Sequence, residues 1–307
     1  MASILITGGT GMIGSALTKE LVSKGHQCII LTRDSKPKSP EQNISYATWN
    51  VEQQTIDEKA IQLADFIVHL AGANVAKGRW TASKKRDILD SRVDSGNLIV
   101  KALKEIPNKV KAVLSASAIG RYGPDPEIPN PNPFVETDPI DNSFLGATCS
   151  KWEEAIQPVQ QPGKRLVIFR IGIVLSNEGG AYAEFKKPLK FGVASILGNG
   201  KQMVSWIHIS DLIRLFIYAI DNEKIKGTYN AVAPHPVSNA QLINEMAKHH
   251  GMHLTMHIPA FALKTILGEM SVEILKSATV SSAKIQNEGF QFHFSSIENA
   301  VQNLSNK

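Results

Sequence analysis

The sequence predicts an α/β protein that has a doubly wound parallel sheet and a smaller, mostly helical C-terminal lobe. Apolar, strand-like runs alternate with helical patterns through the first half of the chain. These runs are continuously apolar, which is typical of parallel strands that are buried on both faces. Because crossovers between parallel strands are right-handed, such alternation places helices on both faces of the sheet.

The strands and helices follow in a regular order. An amphipathic helix from Met12 to Lys24 follows the first strand, and Gly25 ends it at a position that favours glycine. A long helix over roughly 82–105 separates the fourth and fifth strands. Six strands are predicted, at 4–7, 27–32, 46–49, 66–71, 111–117 and 165–175. Helices are predicted in the C-terminal lobe at about 238–250, 260–276 and 296–303. We therefore expect one domain over 1–230, with an insertion at about 176–204, and a C-terminal domain over 231–307.

Composition excludes several classes of protein. The net charge of +5 is small for 307 residues, and the basic residues are scattered rather than clustered as in a nucleic-acid binding surface. Cys28 and Cys149 lie too far apart in sequence to form a metal-binding motif or a disulfide framework. The chain has neither a signal-peptide pattern nor an apolar run of about 18 residues. We expect a cytoplasmic protein without a metal and without nucleic-acid or membrane partners.

The segment ITGGTGMIGSAL predicts a dinucleotide site. It places Gly8, Gly11 and Gly14 directly after a strand and at the start of a helix. Glycine is needed where such a turn is tight, where backbone approaches a pyrophosphate and where helix packs on strand. The free N–H groups at the helix start, at Met12 and Ile13, favour a phosphate. A Rossmann-type cofactor site is the prediction; a glycine-rich turn without a ligand is the alternative.

Two residues at the end of the second strand predict which cofactor binds. An acidic side chain at this position binds the ribose 2′-hydroxyl of NAD, whereas an arginine suits the 2′-phosphate of NADP. Here the strand ends in Thr32 and Arg33. We therefore predict NADP, with NAD as the alternative because the acidic Asp34 follows directly.

Four segments, in their order along the chain, resemble the extended short-chain dehydrogenases/reductases of the NAD-dependent epimerase/dehydratase superfamily. They are TGGTGMIG, HLAGANV, SASAIGRYG and GNGKQMVSWIHISDL. Two more, AGANVAKGRWTASKKRDILDSRV and PAFALKTILGEM, are similar to an epimerase-like branch that has its own C-terminal domain, some members of which are labelled cell-division inhibitors. The resemblance covers almost the whole chain. It implies a substrate-binding role for the C-terminal lobe, and cofactor contacts at the ends of the fourth to sixth strands. These residues are Leu70, Ala71, Gly72, Ala73, Asn74, Ser115, Arg170 and Ile171.

The resemblance also exposes a missing catalytic pair. Active relatives combine a serine or threonine at the end of the fifth strand, which Ser117 resembles, with Tyr-x-x-x-Lys on the next helix. That helix, in SFLGATCSKWEEA, contains no tyrosine. Phe144 or Leu145 falls near the tyrosine position, and Thr148 or Cys149 near the lysine position.

Nearby residues offer substitutes, each with a structural alternative. Tyr122 could face the cleft or pack against the proline-rich loop 121–142, and Lys151 could reach the ribose or be a solvated helix lysine. Cys149 could point into the cleft or fill a small buried space. Arg79, Trp80 and Arg92 could together hold an anionic or aromatic substrate, and the alternative for Arg92 is an ion pair on the helix surface with Asp90 or Asp94.

The leading hypothesis is an NADP(H)-binding oxidoreductase or epimerase-like enzyme that acts on a small-molecule substrate, with Ser117, Tyr122 and Lys151 as candidate catalytic residues. The alternative is a catalytically silent NADP(H) sensor or regulatory protein. The resemblance also implies a homodimer, although the proline-rich loop and the altered helix argue against the usual pairing.

Overall fold

The computed structural model describes residues 1–33 and 42–306. The strands are β1 (Ser3–Thr7), β2 (Gln27–Thr32), β3 (Ile44–Asn50), β4 (Thr55–Ile56), β5 (Phe66–His69), β6 (Ala112–Ala118), β7 (Arg165–Ile171), β8 (Ile173–Leu175), β9 (Val193–Leu197), β10 (Met203–Val204), β11 (Trp206–His208), β12 (Gly227–Ala231), β13 (Val237–Ser238) and β14 (Leu254–Ile258). The helices are α1 (Met12–Ser23), α2 (Glu58–Leu63), α3 (Ala82–Glu105), α4 (Phe144–Ile156), α5 (Gly180–Leu189), α6 (Ile209–Asp221), α7 (Asn239–Lys248), α8 (Ala260–Leu267), α9 (Met270–Leu275), α10 (Ala283–Asn287) and α11 (Ile297–Ser305).

The main sheet confirms the predicted doubly wound topology. Its strand order is β12-β7-β6-β5-β1-β2-β3-β4, and each pairing is parallel except that of β4 with β3. The chain leaves β1 in one direction towards β3 and then resumes on the other side of β1 with β5. Ligands bind at such a switch point, beyond the carboxyl ends of the strands.

Side chains of the central strands alternate between two apolar cores. Ile4 and Ile6 of β1 point to the core that α1 and α6 cover, whereas Leu5 points to the core that α2 and α3 cover. All three are fully buried. Burial on both faces explains why the strands are continuously apolar in sequence.

The six predicted strands are present, but the sixth is shorter than predicted, and the sequence did not predict β4, β12 or the short strands between β8 and α8. Strand β7 ends at Ile171, and the next residue, Gly172, passes close to another segment: a Cβ there would lie 2.5 Å from the carbonyl oxygen of Ser205. The following β8 leaves the sheet and pairs with β11. Strand β12, which pairs with β7, was not predicted because its sequence, GTYNA, has little apolar character.

The C-terminal lobe is built from two separate stretches of the chain. Strand β9, from the predicted insertion, pairs in parallel with β14, and helices α5, α7 and α11 complete one apolar core. The helix predicted over 260–276 is two helices, because Gly268 has a φ of +62° between them. Ile285 and Phe290 then return to the core of the main sheet. Among the described residues, every helix is too short or too polar to cross a lipid bilayer.

Candidate active site

The glycine loop between β1 and α1 is packed so closely that side chains cannot fit at two positions. A Cβ on Gly14 would lie 2.3 Å from the carbonyl oxygen of Gly8, and a Cβ on Gly8 would lie 2.9 Å from the carbonyl carbon of Leu70. Gly8 also has a φ of +67°, which favours glycine. The fold itself therefore requires glycine at both positions.

The start of α1 offers free backbone donors to a ligand. The first turn of a helix contains N–H groups that have no carbonyl partner within the helix. Gly11, the residue before this turn, has no side chain that could cap it, and no other side chain among residues 1–33 and 42–306 does so. The N–H groups of Met12, Ile13 and Gly14 therefore face the position at which a phosphate binds in such a loop.

A buried threonine–histidine contact joins the carboxyl ends of β1 and β5. The Thr7 hydroxyl accepts hydrogen bonds from the backbone N–H groups of Leu70 and Ala71, both at 3.1 Å. Its own hydrogen therefore points to Nδ1 of His69, 2.8 Å away. Since the Ser95 hydroxyl donates to the carbonyl of Ser91 at 2.6 Å, it can accept from Nε2 of His69 at 3.3 Å. These contacts define a neutral His69 with its proton on Nε2.

His69 is the first residue of the segment HLAGANV, which was used to identify the resemblance, but no role was predicted for this histidine from the sequence. Burial lowers the pKa of His69 to about 3, and the charge of Arg92 contributes to the same shift. Through Thr7, His69 supports the two residues that contact Gly8, Leu70 and Ala71, and so holds this end of the sheet in place.

We expect His69→Asn to flatten the pH dependence of stability. The unfolded chain protonates this histidine near pH 6.5 but the folded chain only near pH 3, so unfolding takes up a proton between these values. Stability is therefore lost as pH falls below about 6.5, by at most about 1.4 kcal/mol per pH unit. Urea unfolding from about pH 7 to pH 4 measures the slope.

The exposed His253 provides the matched control for this prediction. His253→Asn should keep the slope of the unchanged protein, whereas His69→Asn should reduce it. Parallel curves for all three proteins would show that His69 does not contribute to the slope.

Hydrogen bonds to residues of α3 fix the backbone of the segment after β5. The N–H of Ala73 donates to the Ser91 hydroxyl at 2.9 Å, and the carbonyl of Ala73 accepts from Nη1 of Arg92 at 3.1 Å. Gly72 and Asn74 in this segment are exposed. The predicted cofactor residues 70–74 therefore lie together at the carboxyl edge of the sheet, next to the glycine loop.

The predicted serine lies in a buried ionic network. Ser117 donates from Oγ to Oε1 of Glu153 at 2.7 Å, and Arg170 donates from Nε to the same oxygen at 2.8 Å and from Nη2 to Oε2 at 2.9 Å. Less than a tenth of each residue is exposed. Ser117 and Arg170 thus meet through Glu153, which sequence reasoning missed. Two further predicted residues, Ser115 and Ile171, are buried in β6 and β7.

Tyr122 is completely buried and belongs to the same network. Its hydroxyl donates to Oδ1 of Asn230 at 2.7 Å and accepts from Nη1 of Arg170 at 2.9 Å. Its ring stacks on Phe134 of the proline-rich loop, with centroids 5.3 Å apart. Of the two alternatives for Tyr122, the structure shows the packing against that loop. The candidate catalytic role of Tyr122 is corrected here, because both partners of its hydroxyl lie within the protein.

Helix α4 presents no acid–base pair at the expected positions. Lys151 is exposed, as expected for a solvated helix lysine, and Leu145 lies in the first turn, where the tyrosine is missing. Cys149 is buried, and this burial raises the pKa of its thiol to about 11, so the thiol is protonated at neutral pH. The described residues of α4 therefore supply neither the tyrosine nor the lysine of the usual pair.

Arg33 lies directly after β2 and is exposed, so its side chain is accessible to a ligand at the end of this strand. Thr32, the last residue of β2, is half-buried. Asp34, the residue that could reverse the predicted cofactor preference, lies outside the described residues.

The C-terminal lobe contacts the loop that leads into α3. The Arg79 side chain donates to the carbonyl groups of Thr265 and Ile266 at the end of α8. Lys85 forms an ion pair with Glu269 at 2.5 Å. Trp80 packs its edge against Phe144 of α4, with centroids 5.2 Å apart. Of the residues predicted as substrate contacts, Arg79 thus contacts the C-terminal lobe and Trp80 contacts α4.

Two family models match the chain. The NAD dependent epimerase/dehydratase family matches residues 4–231, and a domain of unknown function, DUF1731, matches residues 258–304. An epimerase family protein of Staphylococcus aureus is 37% identical over 308 residues, with all of both chains covered.

Solved structures show the same architecture. A human epimerase family protein, SDR39U1 isoform 2, whose crystal structure contains NADPH, has a TM-score of 0.87 and 25% identity, with 99% of each chain covered. A UDP-glucuronic acid 4-epimerase of Bacillus cereus, solved with UDP-glucuronic acid and NAD, has a TM-score of 0.80 at 18% identity, over 99% of this chain and 98% of the other. The second likeness concerns the fold alone.

Proposed function

Because the chain belongs to the NAD-dependent epimerase/dehydratase family, we propose that it is an NADP(H)-binding oxidoreductase or epimerase-like enzyme acting on a small molecule. The observation that carries the proposal is the glycine loop: glycine is sterically required at Gly8 and Gly14, and the adjoining helix start is uncapped. The NADPH in the human relative supports the same cofactor type.

The preference for NADP(H) over NAD(H) rests on Arg33. Its guanidinium is exposed at the end of β2, where a cation favours a phosphate over a hydroxyl. When bound, the cofactor would supply a hydride acceptor or donor. The chain's own contribution would be to hold the phosphates at α1 and to place the other end of the cofactor along residues 70–74.

Arg33→Ala should remove the discrimination between NADPH and NADH. A hydrogen bond to a charged group contributes about 1.5–3 kcal/mol, which corresponds to a ratio of about 10 to 100 in affinity. Calorimetric titration of both proteins with NADP⁺, NADPH, NAD⁺ and NADH measures the ratio.

An exposed arginine on α3 serves as the control, since Arg86→Ala removes the same charge from a different element. It should leave the ratio unchanged. Equal affinity of the unchanged protein for NADPH and NADH would contradict the preference, and failure of all four to bind would contradict the function.

A catalytically silent NADP(H) sensor is the second candidate, and the position of Tyr122 favours it. A positioned acid–base group contributes about 10²–10⁴ to the rate. This candidate fits the absence of the usual pair from α4 and the hydrogen bonds of the Tyr122 hydroxyl within the protein. A sensor would bind NADPH tightly, and no carbonyl compound would cause its oxidation. Turnover of NADPH with any small carbonyl compound, followed by reduced-nicotinamide absorbance, would exclude this candidate.

A further inference from the structure

Arg92 places a guanidinium at the carboxyl edge of the sheet, next to the missing catalytic pair. Its Nη1 donates to the carbonyl of Ala73 at 3.1 Å and to that of Ile88 at 2.8 Å. The guanidinium also covers Gly72, where a Cβ would lie 3.0 Å from Cζ. The group is therefore fixed against the backbone segment that the cofactor residues 70–74 form.

The other side of the guanidinium faces α4. Its Cζ lies 4.9 Å from the centroid of the Trp152 ring, a cation–π geometry that restricts the plane of the group. The charge of Arg92 also acts on Cys149, the residue near the usual lysine position. Arg92 thus brings a cation from α3 to the region where relatives place one on the helix after β6.

Arg92 differs from the other cations around this site in its partners. Lys85 pairs with Glu269, Lys276 pairs with Glu273, and both Arg121 and Arg170 pair with Glu153. Arg92 forms no ion pair in the part of the chain that the structure describes, neither with Asp90 nor with Asp94, and its two hydrogen bonds go to backbone carbonyls through one nitrogen. Half-buried charges are normally paired, because removing them from water is unfavourable.

The remaining donors define what could pair with Arg92. Nη1 is held by two carbonyls, whereas Nε and Nη2 have no hydrogen-bond partner among the residues that the structure describes and form the free edge of the guanidinium. These two N–H groups are parallel and fit the two oxygens of a carboxylate in a bidentate pair. A neutral carbonyl or hydroxyl offers one acceptor and no charge, so it would leave the cation uncompensated.

We propose that Arg92 is a substrate-binding residue and that the substrate of this chain is a small carboxylic acid, held by its carboxylate against the Nε–Nη2 edge. The proposal rests on the proposed function, since it places the substrate beside the nicotinamide end of the cofactor site. It adds a substrate class, small organic acids with a carbonyl or hydroxyl carbon close to the carboxylate.

The test compares acids with their uncharged amides. Acetoacetate and 2-oxobutyrate are titrated calorimetrically, each beside its amide, into the unchanged protein, Arg92→Met and Arg92→Gln, with and without saturating NADP⁺. In the unchanged protein each acid should bind at least about tenfold more tightly than its amide. Both variants should lose this difference, and Arg92→Gln tests the loss of charge in a side chain that still has N–H donors.

Arg86→Met, which removes an exposed arginine from the same helix, is the matched control and should keep the difference. Equal binding of acid and amide to the unchanged protein, or no binding of either acid at tens of millimolar, would overturn the proposal. So would a loss of NADP⁺ affinity above about tenfold in both Arg92 variants, because Arg92 would then be a cofactor residue. Failure of NADP⁺ to bind the unchanged protein contradicts the proposed function instead, and the titrations without cofactor still decide the role of Arg92.

Discussion

Gly14→Ala is expected to weaken NADPH binding by at least about 100-fold, or about 2.8 kcal/mol. The added Cβ would lie 2.3 Å from the carbonyl oxygen of Gly8 and 2.6 Å from the Cα of Gly9, so the loop must move as a whole. Neither contact involves a flexible side chain, and the displaced atoms form the proposed phosphate site. Calorimetric titration with NADPH measures the loss, and urea unfolding should show a destabilisation of about 1–3 kcal/mol.

Gly11→Ala provides the comparison within the same loop. Gly11 has a φ of −80°, which alanine adopts readily, and its added Cβ would have its nearest neighbour, the Gly8 carbonyl oxygen, at 3.3 Å. Its loss of stability should stay below about 1 kcal/mol. Equal destabilisation by the two substitutions would contradict the steric explanation, which depends on the difference between 2.3 Å and 3.3 Å.

Glu153→Ala should destabilise the fold by about 3–5 kcal/mol. It leaves Arg170, whose side chain is 4% exposed, without its carboxylate and leaves the Ser117 hydroxyl without its acceptor. Removing one partner of a buried ion pair costs far more than the pair itself contributes, because the remaining charge stays desolvated. Urea unfolding at neutral pH measures the change in the free energy of unfolding.

The neighbouring residue is a matched control for this effect. Glu154 is exposed on the same helix and accepts a hydrogen bond from the Ser150 hydroxyl at 2.6 Å. Glu154→Ala should change stability by no more than about 0.5 kcal/mol. The double variant Glu153→Ala/Arg170→Met should be less destabilised than Glu153→Ala alone, since it removes the unpaired charge. Similar small effects of Glu153→Ala and Glu154→Ala would contradict the assignment of the network.

The buried ion pair of Glu153 could have been predicted in part from the sequence. In the α4 segment FLGATCSKWEEAI, Glu153 falls one turn after Cys149, on the face that also carries Trp152 and Ile156. A carboxylate on an apolar helix face requires a buried partner, so the pattern indicates a charge pair. The pattern does not show which cation pairs with Glu153. Arg170 lies on a strand 17 residues away, and many other basic residues could have been the partner.

The sequence by itself determined the doubly wound sheet, the glycine loop and the absence of the tyrosine–lysine pair from α4. These features depend on local rules: the apolar strand pattern, the steric need for glycine in one tight turn and the residues present on one helix. Only the tertiary structure decided that Tyr122 is buried, that residues after 276 return to the main core, and that Arg92 lies beside Gly72. Such contacts join distant parts of the chain, as with Tyr122 and Asn230, which are 108 residues apart. Their partners are selected by the packing of whole elements, which leaves no local pattern in sequence.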